Sequence, residues 1–163
     1  MTVRIDLMHA SLQFSDSVSQ KKTDTEAIFA RAEKRKVLAV TVTEAGEDPL
    51  KTIVREAAER HGFTSHIYKG NGVCIRKSAI VPKSYKRGGK TVVDNDLVVG
   101  PGHDLNYVYA EFDTKDIGHV TVIGSHLATR GRQKDNRPDY NRNTDENRRL
   151  ATAIGEFTKK QGA

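Results

Sequence analysis

Along this 163-residue chain the apolar positions recur at two spacings, every second residue and every third or fourth, and the changes between them mark out the elements. Val3, Ile5 and Leu7 alternate with polar residues and predict a half-buried first strand. Residues 13–22 are polar and serine-rich and read as a loop. Thr23 and Glu26 then have capping-box spacing, so a helix is predicted from there, with Ile28, Phe29 and Ala32 facing the core. Lys34, Arg35 and Lys36 fall in its last turn, where cations suit the helix dipole. Next comes Val37-Leu38-Ala39-Val40-Thr41-Val42-Thr43, a nearly continuous apolar and β-branched run that reads as a strand covered on both faces. It ends in Glu44.

The same reading carries through the rest of the chain. Asp48-Pro49 is a helix-start signal, Leu50, Ile53, Val54 and Ala57 recur at helical spacing, and Gly62 supplies the stop. Phe63 to Tyr68 predicts a short strand, Gly70-Asn71-Gly72 a turn, and Val73-Cys74-Ile75 a further strand. Arg87-Gly88-Gly89-Lys90 reads as a loop tip with basic flanks, and Pro82 points to an edge or loop nearby. Val92 to Val99 predicts another strand, interrupted by Asp94, Asn95 and Asp96, which read as a surface turn ahead of a metal site. Val108, Ala110 and Phe112 alternate with Tyr107, Tyr109 and Glu111, and a turn at Asp113 to Gly118 leads into the strand Val120 to Ser125. After a polar loop, Asn143 and Glu146 open a last helix with Leu150, Ile154 and Phe157 as its apolar stripe and Arg148 and Arg149 on its exposed side. No repeat or internal linker is present, so residues 1–163 read as one domain.

Two strand ends carry candidate chemistry. A Glu at the carboxyl end of a buried strand sits at the rim of a sheet, where α/β proteins place their ligands. A solvated Glu opening a loop fits the local residues of Glu44 equally well. Much later, Val120-Thr121-Val122-Ile123-Gly124-Ser125 runs into His126-Leu127 and then an Arg-rich segment. A strand ending in Glu, a glycine-led strand Gly72-Val73-Cys74-Ile75, then a strand ending in His-Leu before an Arg-rich loop and a helix resembles the endonuclease/exonuclease/phosphatase family. The resemblance implies an α/β (α+β) fold, a β-sandwich flanked by helices of the deoxyribonuclease I-like kind, incomplete at its C-terminus. It implies metal-dependent phosphodiester hydrolysis, with Glu44 binding Mg²⁺ or Mn²⁺ and His126 contacting the scissile phosphate.

Other residues join by position. Arg130 and Arg132 follow His126, and arginine's planar fork suits phosphate. Where the family's first strand ends in Asn, this chain offers His9 and Ser11. A packed or exposed His9 is the plainer reading.

Composition narrows the partners. Net charge is +6 and the isoelectric point is near 9.5, which favours phosphate-bearing partners electrostatically. Between Lys69 and Val93 there is no Asp or Glu, and Lys86, Arg87 and Lys90 cluster there as a candidate nucleic-acid-binding patch; a solvated strand-loop-strand edge accounts for it equally well. Nucleic acid or another phosphate ester is therefore the expected partner. The single cysteine, Cys74, excludes an intrachain disulfide framework and a cysteine-built zinc site, and between Val73 and Ile75 it reads as a buried thiol. No apolar run approaches the roughly 20 residues of a membrane span, and Met1 to Asp6 alternates and carries an acid, unlike a signal peptide; a cytoplasmic setting is expected.

The family's later Gly-Asp-x-Asn strand and Asp-His pair, which ready the attacking water, do not occur in this sequence. Three expectations follow: a fragment of a longer enzyme, a chain completed by a second chain or a copy of itself, or a catalytically incomplete relative acting in nucleic-acid binding or as a structural or interaction protein.

Overall fold

The β-branched run read as a doubly covered strand forms β2 (Ala39–Thr43), and the other elements layer onto its two faces. The computed structural model describes residues 5–12, 17–45, 48–87, 90–94, 98–101, 107–125 and 138–160, with the backbone alone at 83–87, 90–94, 98–101 and 138–147. β2 lies between β1 (Leu7–Ser11), parallel to it, and β4 (Asn71–Arg76), antiparallel; β3 (Phe63–Tyr68) completes a mixed sheet in the order β1-β2-β4-β3. Parallel neighbours need a crossover, and α1 (Val18–Lys34) supplies it. α2 (Leu50–Arg60) then links β2 to β3. Ser11 pairs with Thr43 and Val42 with Gly72, so the ends of β1 and β2 and the start of β4 meet at one rim.

On one face of this sheet Val40, Val42 and Cys74 pack with Phe29 and Ala32 of α1 and Val54 and Ala57 of α2. On the other, Ala39, Val73 and Ile75 share a buried cluster with Val108, Ala110 and Phe112 of β8 (Tyr107–Thr114) and Val122 of β9 (Gly118–Ser125). Burying each Val or Phe stabilises the fold by about 1.5–3 kcal/mol, so β2 is held from both sides. β7 (Val98–Pro101), β8 and β9 form an antiparallel sheet of three strands. Phe157 of α3 (Pro138–Lys160) stacks on its far face, 4.5 Å from the Tyr109 ring and 6.4 Å from that of Tyr107. β5 (Lys83–Arg87) and β6 (Lys90–Asp94) form a separate hairpin. The result is a mixed α/β protein with three helices among the described residues. No helix among them is long and apolar enough to cross a membrane.

Several elements differ from expectation. The strand read over Val92 to Val99 is two, β6 and β7, in different sheets, and the turn before β4 is Lys69–Gly70, with Asn71 and Gly72 already in the strand. α1 begins at Val18, capped by the Ser17 hydroxyl, which accepts from Gln20 N–H at 3.3 Å; Thr23 lies inside the helix and donates to the Ser19 carbonyl, and Glu26 faces α2. Pro49 occupies the N-cap of α2, and the Asp48 carboxylate accepts from the Thr52 hydroxyl at 2.7 Å in place of a backbone N–H. α3 begins at Pro138, whose missing N–H suits a first turn, and runs through Asn143. In β1 the inward residues are Met8, Ala10 and Leu12, while Ile5 and Leu7 are 44% and 61% exposed. The three-stranded sheet packs against β2 and β4, and Ile5 and Leu7 are left facing solvent.

Candidate functional site

Glu44 follows directly on β2, at the rim where α1 and α2 also have their N-termini by connectivity. Its φ is +64°, the left-handed region, which costs a residue with a Cβ about 1–2 kcal/mol. The turn is fixed from both sides. The ladder runs one bond past the strands, Leu12 N–H to Thr43 O at 3.1 Å, and Ala45 N–H donates to Gly70 O at 2.9 Å. Gly70 is in the two-residue turn between β3 and β4, where Lys69 and Gly70 both have positive φ, as a tight hairpin of this hand requires.

The half-buried Glu44 carboxylate accepts a hydrogen bond from Ser11 Oγ at 3.1 Å, joining the ends of the two parallel strands. Two residues earlier on the same face, His9 Nδ1 shares a 2.9 Å hydrogen bond with the Thr41 hydroxyl. Val40 and Val42 point to the helices, so by strand alternation Thr41 and Thr43 point to the three-stranded sheet. Thr43 and Asn71, each 1% exposed, continue the register side by side at the rim. The Thr43 hydroxyl has no hydrogen-bond partner among the described residues.

The end of β9 reaches the same region. A Cβ on Gly124 would lie 2.8 Å from the Gly72 carbonyl oxygen, and Gly72 pairs with Val42, two residues before Glu44. β9 ends at Ser125; His126, Arg130 and Arg132 lie outside the described residues. Lys86, Arg87 and Lys90 fall at the turn end of the β5–β6 hairpin, where Arg87 pairs with Lys90 and Lys86 with Thr91. Two surface hollows of about 430 and 700 Å³ border α1 rather than Glu44; His9 lines the smaller with Arg31 and Arg35.

No group of three or more His, Cys, Asp or Glu side chains placed to hold a metal occurs among the described residues. Mg²⁺ binds through one or two carboxylates and keeps several waters, so Glu44 beside a hydroxyl is a donor set that fits it.

Cys74 is fully buried and its thiol is pushed up to about 12 by burial. His119 is on β9 and shares a 2.9 Å bond with Asp113 across the ladder. Burial, with Arg55 nearby, lowers the pKa of His66.

The structure brings Glu44 and Ser11, both singled out from the sequence, to one rim with Thr43, Asn71 and the Gly72–Gly124 contact, which were not singled out. The alternation of Thr41 and Thr43 with Val40 and Val42 was a usable signal, as was an isolated glycine in β9, which marks a close backbone approach. Comparison with protein-family models, with curated proteins and with solved structures finds no match to this chain.

Proposed function

We propose that the rim at Glu44 is the metal and phosphate site of a phosphodiesterase of the deoxyribonuclease I-like kind, acting on nucleic acid or another phosphate ester. The observation that carries the reading is Glu44 itself: a carboxylate in a strained backbone conformation, hydrogen-bonded to Ser11, at the end of a strand covered on both faces. Strain of this sort gathers where a side chain's direction matters. In this reading Glu44 holds Mg²⁺ or Mn²⁺ through one hard oxygen, and the Ser11 hydroxyl fixes which oxygen is turned outward. What the cation supplies there when bound is neutralisation of charge on the phosphoryl oxygens. His126, which follows Ser125 in sequence, and Arg130 with Arg132 steady the phosphate. The N-termini of α1 and α2 at this rim favour an anion.

A second reading is that the same rim binds phosphate-bearing partners without turnover. It is favoured by the lack of a cluster of acids and imidazoles around Glu44 among the described residues, since hydrolysis also needs a positioned base for water. In that case the basic patch of Lys86, Arg87 and Lys90 is the nucleic-acid contact, and retention on DNA falls with salt and with their neutralisation.

Relaxation of plasmid DNA in Mg²⁺ by wild type and by Glu44→Ala separates the two. The catalytic reading expects cleavage that the substitution abolishes. Cleavage that persists in Glu44→Ala rejects the metal assignment, and no cleavage by wild type with salt-sensitive DNA retention supports the second reading.

A further inference from the structure

The two sheets make backbone contact at a pair of glycines. An ideal Cβ on Gly124 would lie 2.8 Å from the Gly72 carbonyl oxygen and 3.2 Å from Val73 Cγ1. The nearer obstacle is backbone, which cannot rotate aside as a side chain does. Gly72 is closed from its other face, where a Cβ would meet Val42 Cγ2 at 2.6 Å and Ile67 Cγ1 at 3.1 Å.

Along β9 and β8 the gap between the sheets is otherwise filled by side chains, Val122, Ala110 and Phe112 against Val73 and Ile75. Packed sheets stand about 10 Å apart for that reason. At Gly124 there is no side chain to fill it, and β9 lies directly on the first residues of β4. The sheets therefore converge toward the rim that carries Glu44.

We infer that Gly124 is a positioning residue: its missing side chain lets the end of β9 close onto the Glu44 rim, and any Cβ there holds the two strand ends apart. The inference rests on the reading of Glu44 as a cation-binding carboxylate. The residue whose approach it sets is Ser125, the last of β9, so Gly124 governs how closely the second sheet stands to a ligand held at Glu44, while cation binding by Glu44 is independent of it.

The test is paramagnetic broadening by Mn²⁺ in amide ¹⁵N–¹H spectra of the whole chain, because broadening falls steeply with distance from the ion. In wild type, Mn²⁺ broadens the amides of Thr43, Glu44 and Ala45 and also those of Gly124 and Ser125. In Gly124→Ala the first set is broadened at the same Mn²⁺ concentration, while the broadening of Ser125 is several-fold weaker. Gly155→Ala, at a helix position with nothing within 4 Å of the added carbon, leaves both sets unchanged.

A glycine that mattered only for packing would lower the melting temperature of Gly124→Ala and leave the ratio of the two broadenings as in wild type; that result overturns the inference. So does a wild-type spectrum in which the Thr43–Ala45 amides broaden and Ser125 does not, whatever the variant's stability. If the Thr43–Ala45 amides are unaffected in wild type, the Glu44 reading itself fails, and the inference falls with it.

Discussion

The four-stranded sheet has two ends built on opposite principles. Where β2 begins, charged side chains are consumed by one another and by backbone. Arg76 donates to the carbonyls of Val37 at 2.8 Å and Ala32 at 3.0 Å, and its guanidinium lies 5.1 Å from the centre of the Phe63 ring. His61 bridges Glu33 at 2.6 Å and Glu26 at 2.7 Å, Arg60 pairs with Glu26, and Lys77 pairs with Glu59. Where β2 finishes, the polar groups are Ser11, Thr43 and Asn71 on the strands and the Glu44 carboxylate, whose own backbone is bent into the left-handed region. The first end ties α1 and α2 to the sheet. The second is where we propose the ligand site.

The contrast breaks most visibly at Phe63, fully buried and edge-on to Phe29 at 5.7 Å. Phe63→Ala is expected to cost about 3–5 kcal/mol, read as a fall in the urea midpoint. Mn²⁺ affinity in the folded fraction should stay as in wild type, since the loss is at the stitched end.

His61 sharpens the same division through pH. The hydrogen bond to Glu33 is the largest cause that raises its pKa, against desolvation, with Glu26 adding to it. A group whose folded pKa is raised contributes stability that is fully present below its ordinary value of about 6.5 and is lost as pH climbs through the folded value. Glu26 has the opposite sign: Arg60 first, and then His61, lower its pKa, so its contribution is present at neutral pH and lost as acid titrates it. His61→Gln should cost about 1–2 kcal/mol below pH 6.5, the charged hydrogen bonds being discounted for their exposed carboxylate partners. Above the folded pKa the cost should shrink toward zero. Equal destabilisation at both pH values would contradict the assignment.

The smallest effects compare two left-handed residues, one at each end. Lys36, with φ +53°, closes α1 through its own N–H to Glu33 O and that of Val37 to Ala32 O, a pattern that glycine normally serves. Lys36→Gly should stabilise by about 0.5–1 kcal/mol with cation binding unchanged. At the rim, Glu44→Gly should be more stable than Glu44→Ala by about 1 kcal/mol, and both should lose the cation. Thermal melts with and without Mn²⁺ measure both pairs.

How much of this was readable in advance depends on how far each residue's partners lie along the chain. The stripe of α2, the alternation of β8 and the burial of Cys74 are local patterns, and the structure carries them as read. The start of α1 was missed because its first turns are mostly exposed and polar, so nothing but the Ser17 cap marks it against the stronger Thr23–Glu26 signal. The face of β1 was misread because Ile5 and Leu7 outweigh Met8 and Ala10 in hydrophobicity, yet burial follows what packs above the strand. At the site, Glu44 was legible as the end of a buried run. Its conformation and its bond to Ser11 depend on strand register across 33 positions, which no local pattern encodes.

The account turns on whether Glu44 is a cation ligand, and calorimetric titration of Mn²⁺ into wild type and Glu44→Gln addresses that most directly. Gln keeps the shape and a hydrogen-bond acceptor for Ser11 but removes the charge. The account predicts saturable binding by wild type and an affinity at least about tenfold weaker in Glu44→Gln, the loss expected when a metal site is disturbed. Equal affinity in the two proteins, or no binding by wild type, would contradict it.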